Sequence, residues 1–163
     1  MLIKFAVKNF RGFAERIEWD LSHPSNYSFN TYAVKDGVIK NGIIYGPNGS
    51  GKSNFALAIF DIEYHLSVKW KKADYLSNYV YIGNPNSPVE FEYVFKFGND
   101  ILEYRYSKNA SGMLIAESLV ANNKQVFKRE NDVFDIDDDQ FRIDATVKEN
   151  FKQNVNSVSV INF

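Results

Sequence analysis

The sequence predicts an α/β fold: a mixed sheet carrying a glycine loop and its helix, followed by an antiparallel β-meander. Three observations lead there. A strand-like run, a glycine-rich loop and a helical run succeed one another across residues 38–66. An alternating hairpin at 2–21 comes before them. Alternating segments bounded by turn residues then fill 89–136 with no helical run between, the pattern of antiparallel pairing and not of interleaved βαβ units.

In chain order, Leu2–Lys8 places Ile3, Phe5 and Val7 on one face and reads as an opening strand. Asn9-Phe10-Arg11-Gly12-Phe13 turns the chain, and Arg16–Leu21 alternates back through Ile17, Trp19 and Leu21. Residues 22–30 form a polar loop, and Tyr32–Val34 reads as a short strand before a tight turn at Lys35-Asp36-Gly37. Val38, Ile39, Ile43, Ile44 and Tyr45 read as a buried strand leading into the loop. From Asn54 a helix follows, with Phe55, Ile59, Ile62 and Leu66 as its apolar stripe. Lys69-Trp70-Lys71-Lys72 is either a solvated helix end, favoured by the negative pole of the helix dipole, or a nucleic-acid contact.

Residues 83–88, Gly-Asn-Pro-Asn-Ser-Pro, break the chain. Strands are expected at Val89–Phe97, Ile101–Ser107, Met113–Val120, Gln125–Lys128 and Val133–Ile136, with a turn at Lys108–Gly112. Residues 140–153 read as a polar helix or loop, and Val158–Phe163 as the start of another apolar element. The chain thus divides into a hairpin, loop and helix at 1–82, an antiparallel β subdomain at 83–140, and the beginning of a further element at 141–163, all within one domain.

Between strand and helix, Gly46–Ser53 reads Gly-Pro-Asn-Gly-Ser-Gly-Lys-Ser and matches the phosphate-loop (Walker A) pattern G-x-x-x-x-G-K-S/T at each fixed position. Gly49 and Gly51 lack a Cβ, so the backbone can curl and turn successive N–H groups toward phosphate oxygens. The start of the helix adds partial positive charge. Lys52 would reach the β- and γ-phosphates and the Ser53 hydroxyl would ligate Mg²⁺. Pro47, with no N–H to give, suits the rim. The plainer reading is a glycine-rich turn bearing a surface lysine.

Composition narrows the classes. Net charge is −1, which gives no global drive toward nucleic acid or an anionic membrane. The chain has no cysteine, excluding disulfides, thiolate nucleophiles and cysteine-bound zinc. Early lysines break any signal-peptide core, and no run is long enough for a membrane helix, so a cytoplasmic protein is expected. The 14 Phe and 10 Tyr suit strand-rich packing. His23 falls in a polar loop and His65 on the helix, a placement that suggests neither a triad nor a metal site.

Three features together carry a resemblance: Val7-Lys8-Asn9-Phe10-Arg11-Gly12-Phe13 one hairpin ahead of the loop, the loop Gly46–Asn54 itself, and an antiparallel sheet after its helix. The chain resembles the N-terminal lobe of an ABC-type ATPase head of the SMC/RecF/OLD kind, and in particular the bacterial stand-alone AAA-family ATPases of phage-defence type. The segments Pro88–Glu92, Tyr104-Arg105-Tyr106, Glu117-Ser118-Leu119 and Phe127–Glu130 are similar in texture to that last group. The resemblance implies a P-loop NTPase binding ATP through Gly46, Pro47, Asn48, Gly49, Ser50, Gly51, Lys52, Ser53 and Asn54, with Mg²⁺ on Ser53. It also implies that Asn9 and Arg11 lie beside the nucleotide. Arg11 could bind phosphate bidentately or stack on the base, or be a surface turn arginine.

Such heads hydrolyse ATP with a Walker B aspartate and adjacent glutamate and close on a second head through a signature motif, all normally in the C-terminal half. Only Val133-Phe134-Asp135 offers a Walker B shape, and it has just two apolar residues before the acid. Asp135–Asp139 is no EF-hand, since Gln140 and Thr146 stand where Gly and Glu are required. The family's metal-contacting glutamine would be Gln153 or lie outside the chain. The resemblance therefore implies an N-terminal piece of a longer ATPase, partnered by its own C-terminal half and by a second head on ATP binding. Nucleic acid is a further partner to consider, and a membrane is not. Two functional classes follow: an ATPase regulating a nucleic-acid-directed or phage-defence effector, or a nucleotide-binding assembly module with little turnover. A transporter's nucleotide-binding domain is a weaker third. A small GTPase should show an Asn-Lys-x-Asp motif, and none is present; a Rossmann domain wants G-x-G-x-x-G opening its first helix, whereas Lys52-Ser53 signals triphosphate and metal.

Overall fold

A computed structural model describes residues 1–26, 28–67, 73–131, 133–137, 146, 159 and 161. Strands β1 (Leu2–Lys8), β2 (Ile17–Asp20), β3 (Val34–Lys35) and β4 (Val38–Ile39) precede helices α1 (Lys52–Leu66) and α2 (Ala73–Leu76). The meander follows as β5 (Val89–Phe97), β6 (Asp100–Lys108), β7 (Leu114–Ala121), β8 (Lys124–Glu130) and β9 (Val133–Ile136). The expected meander strands all form, with ends shifted by one or two residues.

One 7-stranded sheet runs β2-β1-β5-β6-β7-β8-β9, and each ladder in it is antiparallel. β1 joins hairpin to meander: Phe5 stands opposite Tyr93, and Val7 opposite Phe91. The hairpin at 2–20 and the strands from 89 onward thus share one sheet and one core. Reversals use residues that tolerate positive φ: Asp36-Gly37 between β3 and β4, and Asn122-Asn123 between β7 and β8.

The sheet has two unlike faces, as period-two alternation requires. Phe5, Val7, Phe91, Tyr93, Tyr104 and Tyr106 are buried on the side that receives α1. Tyr93 donates its hydroxyl to the Ala58 carbonyl of that helix at 2.9 Å, and Phe5 meets Phe55 edge-on at 5.7 Å. Burying each such ring contributes roughly 1.5–3 kcal/mol. The opposite face carries ion pairs around Glu92, which Lys4, Arg16 and Arg105 approach at 3.7, 3.2 and 3.0 Å.

Four expectations are corrected. The sheet is antiparallel, not mixed, among the described residues. The buried strand expected to lead into the loop exists only as Val38–Ile39, paired with β3. Residues 40–46 carry no ladder, and Ile43 and Tyr45 are each 90% exposed. An apolar run becomes a strand only where a neighbour meets its N–H and C=O groups, and no described strand lies beside 43–45. Lys108, expected in a turn, is the last residue of β6 and is buried. The stripe expected on the helix is also displaced. Phe55, Ile59, Ile62 and Leu66 are half-buried, whereas Ala58, Asp61 and His65, roughly a quarter turn round α1, are buried.

Lys69–Lys72, residues 140–145 and 147–153, and Val158, Val160, Asn162 and Phe163 lie outside the described residues, so the basic cluster, Gln153 and the apolar ending find no structural counterpart here. Among the described residues no helix is long and apolar enough to cross a membrane.

Candidate functional site: a glycine loop opening a clamped helix

Gly46–Ser53 wraps onto the N-terminus of α1. Gly49 and Gly51 have φ of +81° and +90°, conformations that L side chains rarely adopt, and Gly51 is the residue capping the helix. No side chain caps this end and no acidic residue occupies its first turn, so its leading amides are left to an incoming acceptor. A hollow of about 300 Å³ is lined by Asn48–Asn54. The Lys52 ammonium donates to the carbonyls of Gly46 and Pro47, each at 2.8 Å, which holds its charge against the loop. Ser53 is exposed on the first turn. A donor-rich, acid-free cradle with an adjacent cation and hydroxyl fits a phosphate group carrying a divalent ion.

The turn at Asn9–Phe13 buttresses this loop. A Cβ added to Gly51 would come within 2.9 Å of the Phe13 ring, and one on Gly12 would lie 3.5 Å from the Asn54 amide. Phe13 and Phe10 bridge across the turn, and the Phe10 ring packs edge-on to Tyr79. A second hollow, of about 440 Å³, adjoins the loop between Phe13, Trp19, Tyr45 and Phe55.

Asn9 and Arg11 belong to that turn, and the Asn9 Nδ2 and Arg11 Nη2 groups donate to other segments, while Asn9 Oδ1 and Arg11 Nε are buried with no hydrogen-bond partner among the described residues. Asn9 is buried with φ of +58°, and its amide donates to the carbonyls of Asn84, Ser87 and Pro88 at 3.2, 2.8 and 3.2 Å. It ties down the breaker before β5. Arg11 donates to the Tyr75 carbonyl at 2.7 Å, and its guanidinium lies over the Phe10 and Tyr75 rings. Asp135, the lone Walker B candidate, sits on β9 at the sheet edge opposite β2 and accepts from Gln125.

No family model matches this chain, and no curated protein does.

Behind the loop lies a polar network that reading for motifs overlooked. Asp61 is fully buried, and four donors converge on it. Tyr75 and Tyr79 reach Oδ1 at 2.6 and 2.9 Å, while Tyr106 and Lys108 reach Oδ2 at 2.8 and 2.5 Å. Burial pushes the Asp61 carboxyl up, but the Lys108 ammonium and the hydroxyl donors outweigh it and hold the group below the usual carboxylate range. Burial, reinforced by the Asp61 charge, lifts Tyr79 and Tyr106 well above ordinary phenols. One turn along α1, His65 Nε2 lies 2.7 Å from the Tyr104 hydroxyl, which donates to Glu117 at 2.7 Å. The Ser159 hydroxyl lies 2.9 Å from the same Tyr104 oxygen. Arg129 pairs with Glu117 at 2.7 Å, and Ser159 donates to the same carboxylate at 2.8 Å.

A signal for this network existed. Leu102, Tyr104, Tyr106 and Lys108 alternate onto one face, as do Glu117 with Leu119 and Phe127 with Arg129. Charges in the apolar register of neighbouring strands, facing Asp61 and His65 spaced four apart on a helix, are a pattern that burial alone explains.

Proposed function

We propose that this protein binds Mg-ATP through Gly46–Ser53, as the nucleotide-holding lobe of an ABC/SMC-like ATPase head. One observation carries the reading: a complete Walker A pattern lies on a helix N-terminus that has two positive-φ glycines, no side-chain cap and a lysine already turned onto the loop. The amides of the loop and first turn take the phosphate oxygens, Lys52 neutralises the β- and γ-phosphates, and the Ser53 hydroxyl contributes to the metal. Mg²⁺, when bound, spreads the phosphate charge.

Hydrolysis by the whole protein draws on a general base and a signature motif from elsewhere and on pairing of two heads, and it regulates an effector acting on nucleic acid or in phage defence. A second reading, an assembly module with little turnover, is favoured by one specific feature. Glu18, the one carboxylate among the described residues lining the hollow next to the loop, is held by Lys4 at 3.1 Å and Arg16 at 3.0 Å and so is not poised as a general base.

Titration calorimetry with ATP, with and without Mg²⁺, tests the reading. Lys52→Ala is expected to weaken binding by more than about 100-fold, the loss of a charge-assisted contact to two phosphates. Tight Mg-ATP binding by that variant would overturn the assignment. Phosphate release by the whole, paired protein separates the two classes.

A further inference from the structure

Helix α1 buries three side chains, Ala58, Asp61 and His65, and two of them are polar. An apolar contact would hold such a helix with less desolvation cost. It would also let the helix settle over a range of rotations, because ridges pack into grooves with considerable scatter. A carboxylate held from two sides does not allow that freedom. Tyr75 and Tyr79 reach it from residues 73–79, and Tyr106 and Lys108 reach it from β6. The second pin lies one turn on, where the His65 ring stacks on Tyr106 with centroids 4.0 Å apart. Two pins on one face fix both rotation and axial position.

The phosphate loop is the direct continuation of this helix, with Gly51 as its cap and Lys52 as its first residue. Nine helical steps, about 14 Å at the helical rise, separate Lys52 from Asp61, with neither glycine nor proline between them. A rotation of α1 at Asp61 is therefore carried to the loop with little damping.

We propose that Asp61 is a positioning residue for the phosphate site: Lys108 and Tyr106 hold α1 in the one rotation that aims its leading amides and Lys52 at the ligand. The proposal rests on the triphosphate reading and adds to it the groups, remote from the ligand, that set its geometry.

The test uses the full chain, Mg-ATP calorimetry, and amide NMR of the ligand-free protein. Lys108→Met is expected to weaken binding about ten-fold and Tyr106→Phe about three-fold in folded protein, as small misplacements of binding groups do. Lys108→Arg, which keeps the charge, should restore most of the loss. The Gly51, Lys52 and Ser53 amide resonances should move in Tyr106→Phe without ligand, a response that mere loss of stability would not produce. Should Lys108→Met fail to fold, Tyr106→Phe carries the test. Folded variants with wild-type affinity and unmoved amides would overturn the proposal. A wild type that fails to bind Mg-ATP would remove the triphosphate reading instead, and the amide shifts alone would then decide whether Asp61 positions the loop.

Discussion

Replacing Lys108 by Met leaves the Asp61 carboxylate buried without its ammonium, and the structure sets the size of the effect. Lys108 and Asp61 are 1% and 0% exposed, so solvent screens neither. Breaking a buried pair from one side costs roughly 3–5 kcal/mol. Three tyrosine hydroxyls still donate to Asp61, which places the expected loss at the lower end, about 3 kcal/mol at neutral pH. A domain of this size has roughly 5–15 kcal/mol to lose, so the variant should remain folded. Urea denaturation at about pH 7 and about pH 5 is the assay, because in that window Asp61 should make the variant respond and leave the wild type unchanged. In the wild type the Asp61 carboxyl lies below its ordinary value. Its contribution is therefore complete above the unfolded value of about 3.9 and is lost as pH falls through the folded one. In Lys108→Met burial dominates and raises the carboxyl, so the folded state takes up a proton first and stability rises on acidification, by about 1.4 kcal/mol per unit of the rise. Adding Asp61→Asn should abolish that slope. A loss under about 1 kcal/mol, or a variant whose stability does not change between the two pH values, would refute the reasoning.

Other substitutions have equally definite outcomes. Gly51→Ala forces an L side chain to φ of +90° and into Phe13, and should cost more than the roughly 1–2 kcal/mol of the backbone alone. Gly49→Ala, at φ of +81° with open space around it, should show only that backbone cost, so the difference in thermal denaturation isolates the Phe13 contact. Asn9→Ala removes the donor to three loop carbonyls and should destabilise by about 2–3 kcal/mol in urea, with Asn9→Asp no better because it brings a carboxylate to the same oxygens. Glu92→Gln removes the nearly buried charge that Lys4, Arg16 and Arg105 share and should cost about 1–3 kcal/mol, with little relief from salt.

Local chemistry determined much of this protein from sequence alone. The Walker A pattern is contiguous, and its glycines favour positive φ wherever the chain goes, so the tight loop at Gly46–Ser53 on a helix N-terminus could be read without knowing any neighbour. Alternation with period two is also local, which is why the meander from Val89 to Ile136 was legible almost to the residue. Partnership was not legible. Nothing in Leu2–Lys8 names Val89–Phe97 as its ladder, and nothing in Ile43-Ile44-Tyr45 tells whether a strand lies alongside. Lys108 looked like a turn lysine because its counterion is Asp61, 47 residues earlier. A charge is tolerated in a core only when a specific opposite charge arrives there, and that meeting exists only once the helix has been laid across the sheet.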